Sequence, residues 1–385
     1  MSTTPTNDTL ATKAGILTYL RNTVFASHTV DSLSGGYGNF TYRIHLHAPV
    51  DGMLTFVLKY TPPYAAASAN TTRMLLSQER QIFEVEALRL AHRFPVSDGG
   101  TKVTTPVVRL FDEEAHVMII DDAGSDTRTL KDILINETLP EPLPEEIGTL
   151  LGRFISHVHG WNEHPQVDLS LFANNEVGKM VSAFLTYDRL VSTLTGGDKL
   201  PHLIDPCLEI PEEKLKAISK LAEARIKEVY SSTASGVMTH GDFWPGNIMV
   251  SLRRGADGRI EALERLYVLD WEVAKTGLPG LDLGQLCAEL HLVGRFHPHR
   301  EESTNTTIKS FLSAYRQNRA VDPAIAHVTL SHIGAHLVAL TPRIPWGGRE
   351  RTREVVQEGV ELLELSETGS ESSLLDSIVG PLLSG

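Results

Sequence analysis

Two short stretches in the second half of the chain combine residue types that suit phosphoryl transfer. In THGDFWPGN, Asp242 lies five residues before Asn247, and in YVLDWE an apolar run ends at Asp270 and Glu272. One carboxylate can orient an attacking hydroxyl, and an amide oxygen with a second carboxylate can hold the Mg²⁺ that neutralises phosphate charge. Alone, the first stretch could be a self-capping turn, and Glu272 could be a solvent-facing acid. Their joint occurrence favours the chemical interpretation.

The first third of the chain contains two further features of such chemistry. The stretch LSGGYGNFT includes Gly36, Gly38 and Asn39, and glycines let backbone N–H groups approach a phosphate closely. This signal is weak alone, because Gly-Gly turns are common and Thr41 stands where a protein-kinase loop has its third glycine. Lys59 ends the apolar run FVLK, where its ammonium could reach phosphates. An ordinary strand-end lysine is the alternative.

Composition restricts the remaining possibilities. The 385 residues, 41% hydrophobic and 22% charged, predict about two packed globular units. With 35 basic and 48 acidic residues the formal charge is -13, which disfavours nucleic acid and anionic membranes as partners. Cys207 and Cys287 suggest neither a disulfide framework nor a cysteine zinc site. We see no secretory signal and no apolar run of about 20 residues, so we expect a cytoplasmic protein.

Apolar periodicity predicts an α+β fold, with a small sheet-rich lobe before a larger, mainly helical one. Alternation at 39–46 and 54–60 around a Pro-Val-Asp-Gly turn predicts an antiparallel hairpin, with two more strands at 107–111 and 116–120. A further strand pair, 237–250 with 265–271, interrupts the second lobe. Helical periodicity is found at 14–22, 75–91, 143–159, 174–194 and 212–230.

These elements set the expected domain boundaries. Residues 13–121 form the small lobe and 122–365 the large lobe. The polar segments 1–12 and 366–385 are expected to be flexible tails, although Leu374, Leu375 and Leu382 could dock. The sequence sets no oligomeric state, and a monomer is compatible with it.

The 16 histidines raise the alternative of a metal site. Two groups are close in sequence: His157, His159 and His164, and His291, His297 and His299. Neither has the i, i+4 spacing with a glutamate that is typical of a zinc-protease helix, and no cysteine joins them. We therefore expect no zinc site, and we interpret His159 as a packed residue at a helix end.

HGDFWPGN followed by VLDWE resembles the aminoglycoside phosphotransferase and choline kinase family, whose fold is that of the protein kinases. The resemblance extends over nearly the whole chain. LSGGYGNFTYRI, LKYTPPY, ERQIFEVEALRL and YVLDWEVAKTGLPGLDLG are most similar to the methylthioribose-kinase-like branch, and within it to fungal kinases of 4-hydroxytryptamine. It implies a protein-kinase-like two-lobe fold and a kinase that uses ATP and Mg²⁺.

Position by position, the resemblance implies roles in the large lobe. Asp242 would be the catalytic base or hydroxyl-orienting group, with Asn247, Asp270 and Glu272 as magnesium ligands. Asp282 would brace the catalytic loop, cap its own helix, or do both.

The resemblance also implies nucleotide-binding roles in the small lobe and the segment that follows it. Lys59 would contact phosphates, with Glu84 of the E-x-E-A-L pattern as its acidic partner in preference to Glu79 and Glu86. The loop residues would cover the phosphates, namely Gly36, Gly38 and Asn39. Backbone groups would read the adenine at Ile120, Asp121 and Asp122.

The acceptor is expected to be a small molecule with a hydroxyl group. By resemblance it is an indole alkylamine of the 4-hydroxytryptamine type in fungal secondary metabolism, with Trp244, Phe243 or Trp346 either stacking on its ring or packing inside the protein. Methylthioribose, another sugar, an aminoglycoside and choline stay open, as does a silent nucleotide-binding scaffold. A protein kinase fits less well, since the chain lacks the D-F-G and A-P-E motifs.

Two departures limit the resemblance. The chain keeps His240-Gly241 before Asp242, unlike the hydroxytryptamine kinases, and has Asn247 where methylthioribose kinases have serine. Fold resemblance does not fix a substrate.

Overall fold

The computed structural model describes residues 9–34, 36–69, 71–96 and 102–384. The chain divides into two compact units. The first comprises Met1–Pro95 and Thr105–Thr127, and the second comprises Val96–Thr104 and Arg128–Gly385.

The described residues form strands and helices throughout both units. The strands are β1 (Ser27–Leu33), β2 (Phe40–Val50), β3 (Met53–Tyr60), β4 (Val103–Thr104), β5 (Val108–Asp112), β6 (Val117–Asp121), β7 (Arg128–Thr129), β8 (Val237–Thr239), β9 (Ile248–Arg254), β10 (Ile260–Val268) and β11 (Lys275–Gly277). The α-helices are α1 (Lys13–Leu20), α2 (Arg80–Arg93), α3 (Leu130–Asn136), α4 (Leu143–His159), α5 (Ser170–Ala173), α6 (Glu176–Ser182), α7 (Leu190–Leu194), α8 (Glu212–Tyr230), α9 (Pro279–Phe296), α10 (Glu301–Asn318), α11 (Pro323–Ala339), α12 (Arg349–Thr368), α13 (Glu371–Leu375) and α14 (Gly380–Leu383). One π-helical turn spans Ala183–Tyr187.

The first unit is built on an antiparallel sheet in the order β1-β2-β3-β6-β5. The predicted hairpin is present: β2 pairs with β3, with Thr41 opposite Lys59 and Phe40 opposite Tyr60. Alternate residues of β2 and β3 point into a core that includes Ile16 and Leu20 of α1. This period-2 burial is the pattern that a sheet with one covered face requires. The sequence does not indicate the edge strand β1, because only Val30 of its seven residues is buried.

The second unit contains two small sheets, in the orders β4-β10-β9-β7 and β11-β8, and is otherwise helical. The first turn of the long helix α4 contains Pro144, Glu145 and Glu146, residue types that suit a helix start. Gly148 and Gly152 let α4 pack closely on α10, since a Cβ at either position would meet the α10 backbone at 2.3 Å. The order of a sheet-rich unit and a helix-rich unit confirms the predicted α+β class, with a small sheet-rich lobe before a larger, mainly helical one.

The segment Pro323–Arg343, which contains α11, is long and apolar enough to cross a membrane, and 72% of its most apolar window is buried inside the protein. It packs between α9 and α12. It is therefore a core helix of the second unit.

Several expected boundaries differ from the structure. The strand expected at 237–250 is divided into β8 and β9, and the helix expected at 75–91 begins at Arg80. The helix predicted at 174–194 is divided into α6, the π-helical turn and α7. The first unit extends to Thr127, and the second includes Val96–Thr104, because β4 pairs in parallel with β10. The tail predicted at 366–385 instead contains α13 and α14, whose leucines Leu374 and Leu382 are buried. Of the N-terminal tail, residues 1–8 lie outside the described residues, and Leu10 is buried.

Candidate active site

The loop that contains Asp242 connects β8 to β9. Its last residue, Asn247, is fixed by a backbone hydrogen bond just past the end of the β9–β10 ladder. Val268 lies opposite Ile248 at the end of that ladder. One step further, the Leu269 N–H donates to the Asn247 carbonyl at 2.9 Å. Asp270, the next residue, has a left-handed backbone with φ of 59°. The ladder therefore brings Asn247 and Asp270 to the same end of the hairpin.

Two side-chain amides hold the carboxylate of Asp242. Asn247 Nδ2 donates to Oδ2 at 2.8 Å, and Gln285 Nε2 donates to Oδ1 at 2.7 Å. Burial, the largest cause, and the nearby charges of Asp270 and Glu272 raise the pKa of Asp242 to about 6, although the two amide hydrogen bonds oppose the shift. A carboxylate of this kind can orient a hydroxyl and accept its proton near neutral pH.

Asn247 presents its amide in one defined orientation. Its Nδ2 donates both to Asp242 Oδ2 and to the Asp242 carbonyl at 3.1 Å, so the nitrogen must face Asp242 and the oxygen must face away. Amide and carboxylate oxygens are hard donors of the type that Mg²⁺ prefers, and the ladder brings Asn247 and Asp270 to the same end of the hairpin. These residues therefore fit a magnesium ion.

Glu272 is the third predicted metal ligand. Its charge is close enough to raise the pKa of Asp242, and its carbonyl lies 3.5 Å from Asn175 Nδ2. Asn175 also donates to the Ala274 carbonyl at 2.8 Å, which fixes the backbone after Glu272. Its place at the acidic end of the hairpin suits either a metal ligand or an acid that acts through its charge.

Asp282, at the start of α9, braces the loop before Asp242. Its Oδ2 accepts from the His240 N–H at 2.7 Å, and its Oδ1 accepts from the Gly241 N–H at 2.8 Å. His159, at the end of α4, lies 3.1 Å from the same Oδ2. Burial alone would raise the pKa of Asp282, but the hydrogen bond and charge of His159 and the charges around it lower the pKa below its ordinary value. Asp282 is therefore an ionised, structural carboxylate.

His240 is held as a neutral ring. Its Nδ1 accepts from the Asp242 N–H at 3.2 Å, and its Nε2 donates to the Leu269 carbonyl at 2.9 Å. Burial lowers the pKa of His240 to about 4, which agrees with this single tautomer. The ring packs 4.4 Å from the ring of Trp271, which is fully buried. His240 thus ties the Asp242 loop to the strand end at Leu269.

A buried lysine lies beneath the loop. Lys275 is 3% exposed, and a Cβ at Gly241, whose φ is 83°, would meet Lys275 Nζ at 2.7 Å. Burial lowers the pKa of Lys275 to about 8, while the charges of Asp282 and Asp242 oppose the shift. Glycine is required at 241 both for its backbone conformation and for this close approach.

The first unit contains a separate buried ion pair. Lys59 Nζ on β3 donates to Glu84 Oε1 on α2 at 2.6 Å, and the side chains are 6% and 2% exposed. Of the two rival glutamates, Glu79 is at the exposed start of α2 and Glu86 pairs with Arg89. The structure thus pairs Lys59 with Glu84.

The glycine-rich loop is anchored to α2 by Arg80. The guanidinium is buried and donates to the Gly38 carbonyl at 2.8 Å and to Asn39 Oδ1 at 3.3 Å. The next segment adds a backbone bond from the Ala67 N–H to the Tyr37 carbonyl at 3.0 Å. Gly36 lies against the Asn39 carbonyl, which a Cβ would approach to 3.2 Å, whereas Gly35 lies outside the described residues. The loop is held from within the first unit.

The carboxylates of the predicted adenine-reading segment are used in ion pairs. Asp121 accepts from Arg109 and Asp122 from Arg43, each pair joined by two hydrogen bonds of 2.6–3.2 Å. The Asp121 N–H donates to the Val107 carbonyl. If the segment Ile120, Asp121 and Asp122 binds adenine through its backbone, it must therefore use N–H and C=O groups other than the Asp121 N–H.

Sequence reasoning missed two residues that position the site. Gln285 follows Asp282 by three residues, so both lie on one face of α9, and a D-x-x-Q pattern at a helix start could have indicated it. Arg80 lies within a helical pattern, and nothing in its neighbours indicates burial. Among the described residues, no group of three or more His, Cys, Asp or Glu side chains is arranged to hold a metal ion.

The family follows from comparison with known proteins. Residues 29–321, which are most of the chain, match the sequence model of the family described as "Phosphotransferase enzyme family". The chain belongs to this family. It is a small-molecule kinase.

Relatives of this kinase include two fungal enzymes. The chain is 28% identical over 382 residues to the 4-hydroxytryptamine kinase of Psilocybe cyanescens, with 96% of this chain and 97% of the relative covered. It is 29% identical to the 4-hydroxytryptamine kinase of Psilocybe cubensis, with 91% and 92% covered. A methylthioribose kinase of Bacillus cereus is 27% identical, with 67% of this chain and 59% of the relative covered.

Solved structures similar to this kinase are more distant in sequence. The streptomycin–ATP ternary complex of APH(2")-IIa is 16% identical with a TM-score of 0.46, covering 91% of this chain and 98% of that one. A microcompartment-associated aminopropanol kinase is 14% identical with a TM-score of 0.46, covering 91% and 94%.

Proposed function

We propose that this kinase transfers the γ-phosphate of ATP to a hydroxyl of a small molecule, with Asp242 orienting that hydroxyl. The observation that supports this role best is the Asp242 carboxylate, held between two amide donors with its pKa raised to about 6. Such a group is fixed in position, yet it can take a proton from an attacking hydroxyl.

Asn247 and Asp270 would hold Mg²⁺, with Glu272 as a third ligand. When bound, ATP and Mg²⁺ supply the phosphoryl group and neutralise its charge. Asn247 links both functions, because its nitrogen holds Asp242 while its oxygen faces away. The brace from Asp282 and the His240 bond to Leu269 keep the loop in place during transfer.

We assign nucleotide binding to residues of the first unit. Lys59, held by Glu84, would contact the nucleotide phosphates, and the loop at Gly36, Gly38 and Asn39 would approach them with its backbone. The anchor from Arg80 supports a preformed loop. The segment at 120–122 would contribute backbone groups to the adenine.

The proposed acceptor is an indole alkylamine with a ring hydroxyl, of the 4-hydroxytryptamine type. Similarity over nearly the full length of the two Psilocybe kinases supports this choice. The methylthioribose kinases match a smaller share of both chains, so methylthioribose is the second candidate. We place the reaction in the cytoplasm.

The test is ADP release by the purified protein with ATP and Mg²⁺. The acceptors are 4-hydroxytryptamine, its N-methylated forms, methylthioribose, choline and an aminoglycoside, each with the wild type and with Asp242→Asn. We expect turnover on 4-hydroxytryptamine that the substitution abolishes. Turnover on methylthioribose alone would replace the acceptor assignment. ATP binding without turnover on any acceptor would favour a silent scaffold.

A further inference from the structure

Two indole rings and a buried carboxylate surround the ammonium of Lys131, beside the Asp242 loop. Lys131 Nζ lies 3.9 Å from the centre of the Trp346 ring and 5.0 Å from that of Trp244. It also donates to Glu289 Oε2 at 2.9 Å. We call Trp244, Trp346 and Glu289 the cation box. Aromatic faces and a carboxylate are the groups that recognise an alkylammonium ion.

The carboxylate of the cation box is ionised. Glu289 is 3% exposed, and its second oxygen lies 2.9 Å from His336 Nε2 of α11. Burial alone would raise its pKa, but the hydrogen bond and charge of His336 and the charge of Lys131 lower the pKa below the ordinary value. A buried anion of this kind needs a cation partner.

The two rings are fixed walls. Trp244 lies over Gly246, where a Cβ would meet ring atoms at 2.2–2.5 Å, so only glycine permits this position. Trp346 stacks on Phe296 at 5.6 Å with an interplanar angle of 20°. Its Nε1 is buried and has no hydrogen-bond partner among the described residues.

Helix α9 connects the cation box to the Asp242 carboxylate. Gln285, which holds Asp242, and Glu289 lie one turn apart on the same face, a rise of about 6 Å. Trp244 follows Asp242 by two residues. The short separations along α9 and along the loop are compatible with one small molecule that carries both a hydroxyl and a cation.

We propose that the cation box is the subsite for the alkylammonium group of the acceptor, and that Lys131 is a resident cation which the acceptor displaces. This inference rests on the proposed function. Lys131 is on α3 with 20% of its side chain exposed, so its flexible stem can return the ammonium to water. An entering ammonium replaces the ion pair and both ring contacts that Lys131 leaves.

A neutral ligand makes no such exchange. Displacement of Lys131 by a neutral group would leave Glu289 without its ammonium partner, which is costly for a buried carboxylate. A neutral ligand therefore leaves Lys131 in place, and only an amine, which replaces the ammonium in kind, displaces it; the cation box thus selects for cationic acceptors.

The test measures binding, without nucleotide, of tryptamine and of its neutral analogue 3-ethylindole by calorimetry. Neither has a hydroxyl, so the result does not depend on phosphoryl transfer. The variants are Lys131→Met, Trp346→Leu and the control Lys216→Met, a lysine on α8 that pairs with Glu212 at an exposed site. Thermal unfolding confirms that each variant is folded.

We expect Lys131→Met to tighten tryptamine by about tenfold or more and to leave 3-ethylindole within about threefold. Trp346→Leu should weaken tryptamine more than 3-ethylindole, and Lys216→Met should change neither. An unchanged or weaker tryptamine affinity in Lys131→Met, or equal tightening of both ligands, overturns the proposal. Lack of turnover on 4-hydroxytryptamine with the expected binding pattern would reject that acceptor and leave the cation box in place.

Discussion

Two neighbouring aspartates, Asp242 in the loop and Asp282 in the helix that braces it, show how the same side chain is prepared for different tasks. Asp282, in α9, accepts two backbone N–H bonds and contacts His159, and its pKa is lowered. Asp242, in the loop, accepts from two neutral amides and lies near two acids, and its pKa is raised to about 6. The pKa values of the two carboxylates therefore differ because of their partners and not because of the residue type.

We infer that Asp282 supports the fold and that Asp242 supports the reaction. Asp282 is 1% exposed and its oxygens are occupied, so it stabilises the loop and has no capacity for a reacting group. Asp242 is partly exposed and sits in a field that favours proton uptake. We expect loss of Asp282 to cost folding free energy and loss of Asp242 to cost rate.

The largest expected effect on stability is that of Asp282→Ala. It leaves the N–H groups of His240 and Gly241 buried without their acceptor, which should lower the free energy of unfolding by about 3–5 kcal/mol. Urea denaturation measures this. Asp282→Asn keeps one acceptor oxygen and should lose less; equal stability of Asp282→Ala and wild type would remove the distinction between the two aspartates.

In the first unit, Lys59→Met should affect stability and rate together. The substitution leaves Glu84 buried without its lysine partner, at a cost of about 3 kcal/mol, and removes the proposed phosphate contact. The matched control is Lys59→Met with Glu84→Leu, which should recover stability and not turnover. If the double variant recovers turnover as well, Lys59 has no role in the reaction.

The pH dependence of stability tests the neutral state of His240. Because its folded pKa of about 4 is below the ordinary 6.5, the unfolded chain takes up a proton in that window and the folded chain does not. Wild-type stability should therefore fall as pH drops from 6.5 to 4, by up to about 3 kcal/mol from this group. His240→Asn should be less stable at pH 7, but its free energy of unfolding should lack the part of the pH dependence that comes from residue 240. If denaturation curves give the same pH dependence of unfolding free energy for both proteins, His240 is not held neutral.

Gln285→Ala should have the smallest effect and sharpen the account of Asp242. It removes one of the two amide donors, so we expect kcat to fall about tenfold with little change in unfolding free energy. Gln285→Glu places a like charge beside Asp242 and should reduce kcat further. A larger loss in the alanine variant than in the glutamate variant would contradict this electrostatic explanation.

Much of the first unit was predictable from sequence, because period-2 burial and a Pro-Val-Asp-Gly turn specify the β2–β3 hairpin. The closeness of Asn247 and Asp270 was also predictable, since both lie at the same end of a short hairpin whose ladder joins them. The edge strand β1 was not, because pairing alone stabilises it and its side chains are mostly exposed.

Contacts between distant segments could not be predicted. The bond from Gln285 to Asp242 joins positions 43 apart, and that from Lys131 to Glu289 joins positions 158 apart, and neither leaves a local pattern. The packing of α13 and α14 likewise depends on a few leucines in a polar segment.

The most direct test of the central claim is to measure turnover and unfolding free energy on the same preparation of Asp242→Ala. The account predicts that ADP release with the accepted substrate falls by at least about 10³-fold. The free energy of unfolding should stay within about 1 kcal/mol of the wild type, because the loss of two amide hydrogen bonds is offset by the removal of a carboxylate whose charge is disfavoured by burial and by Asp270 and Glu272. A folded Asp242→Ala protein with turnover within about tenfold of the wild type would contradict the account.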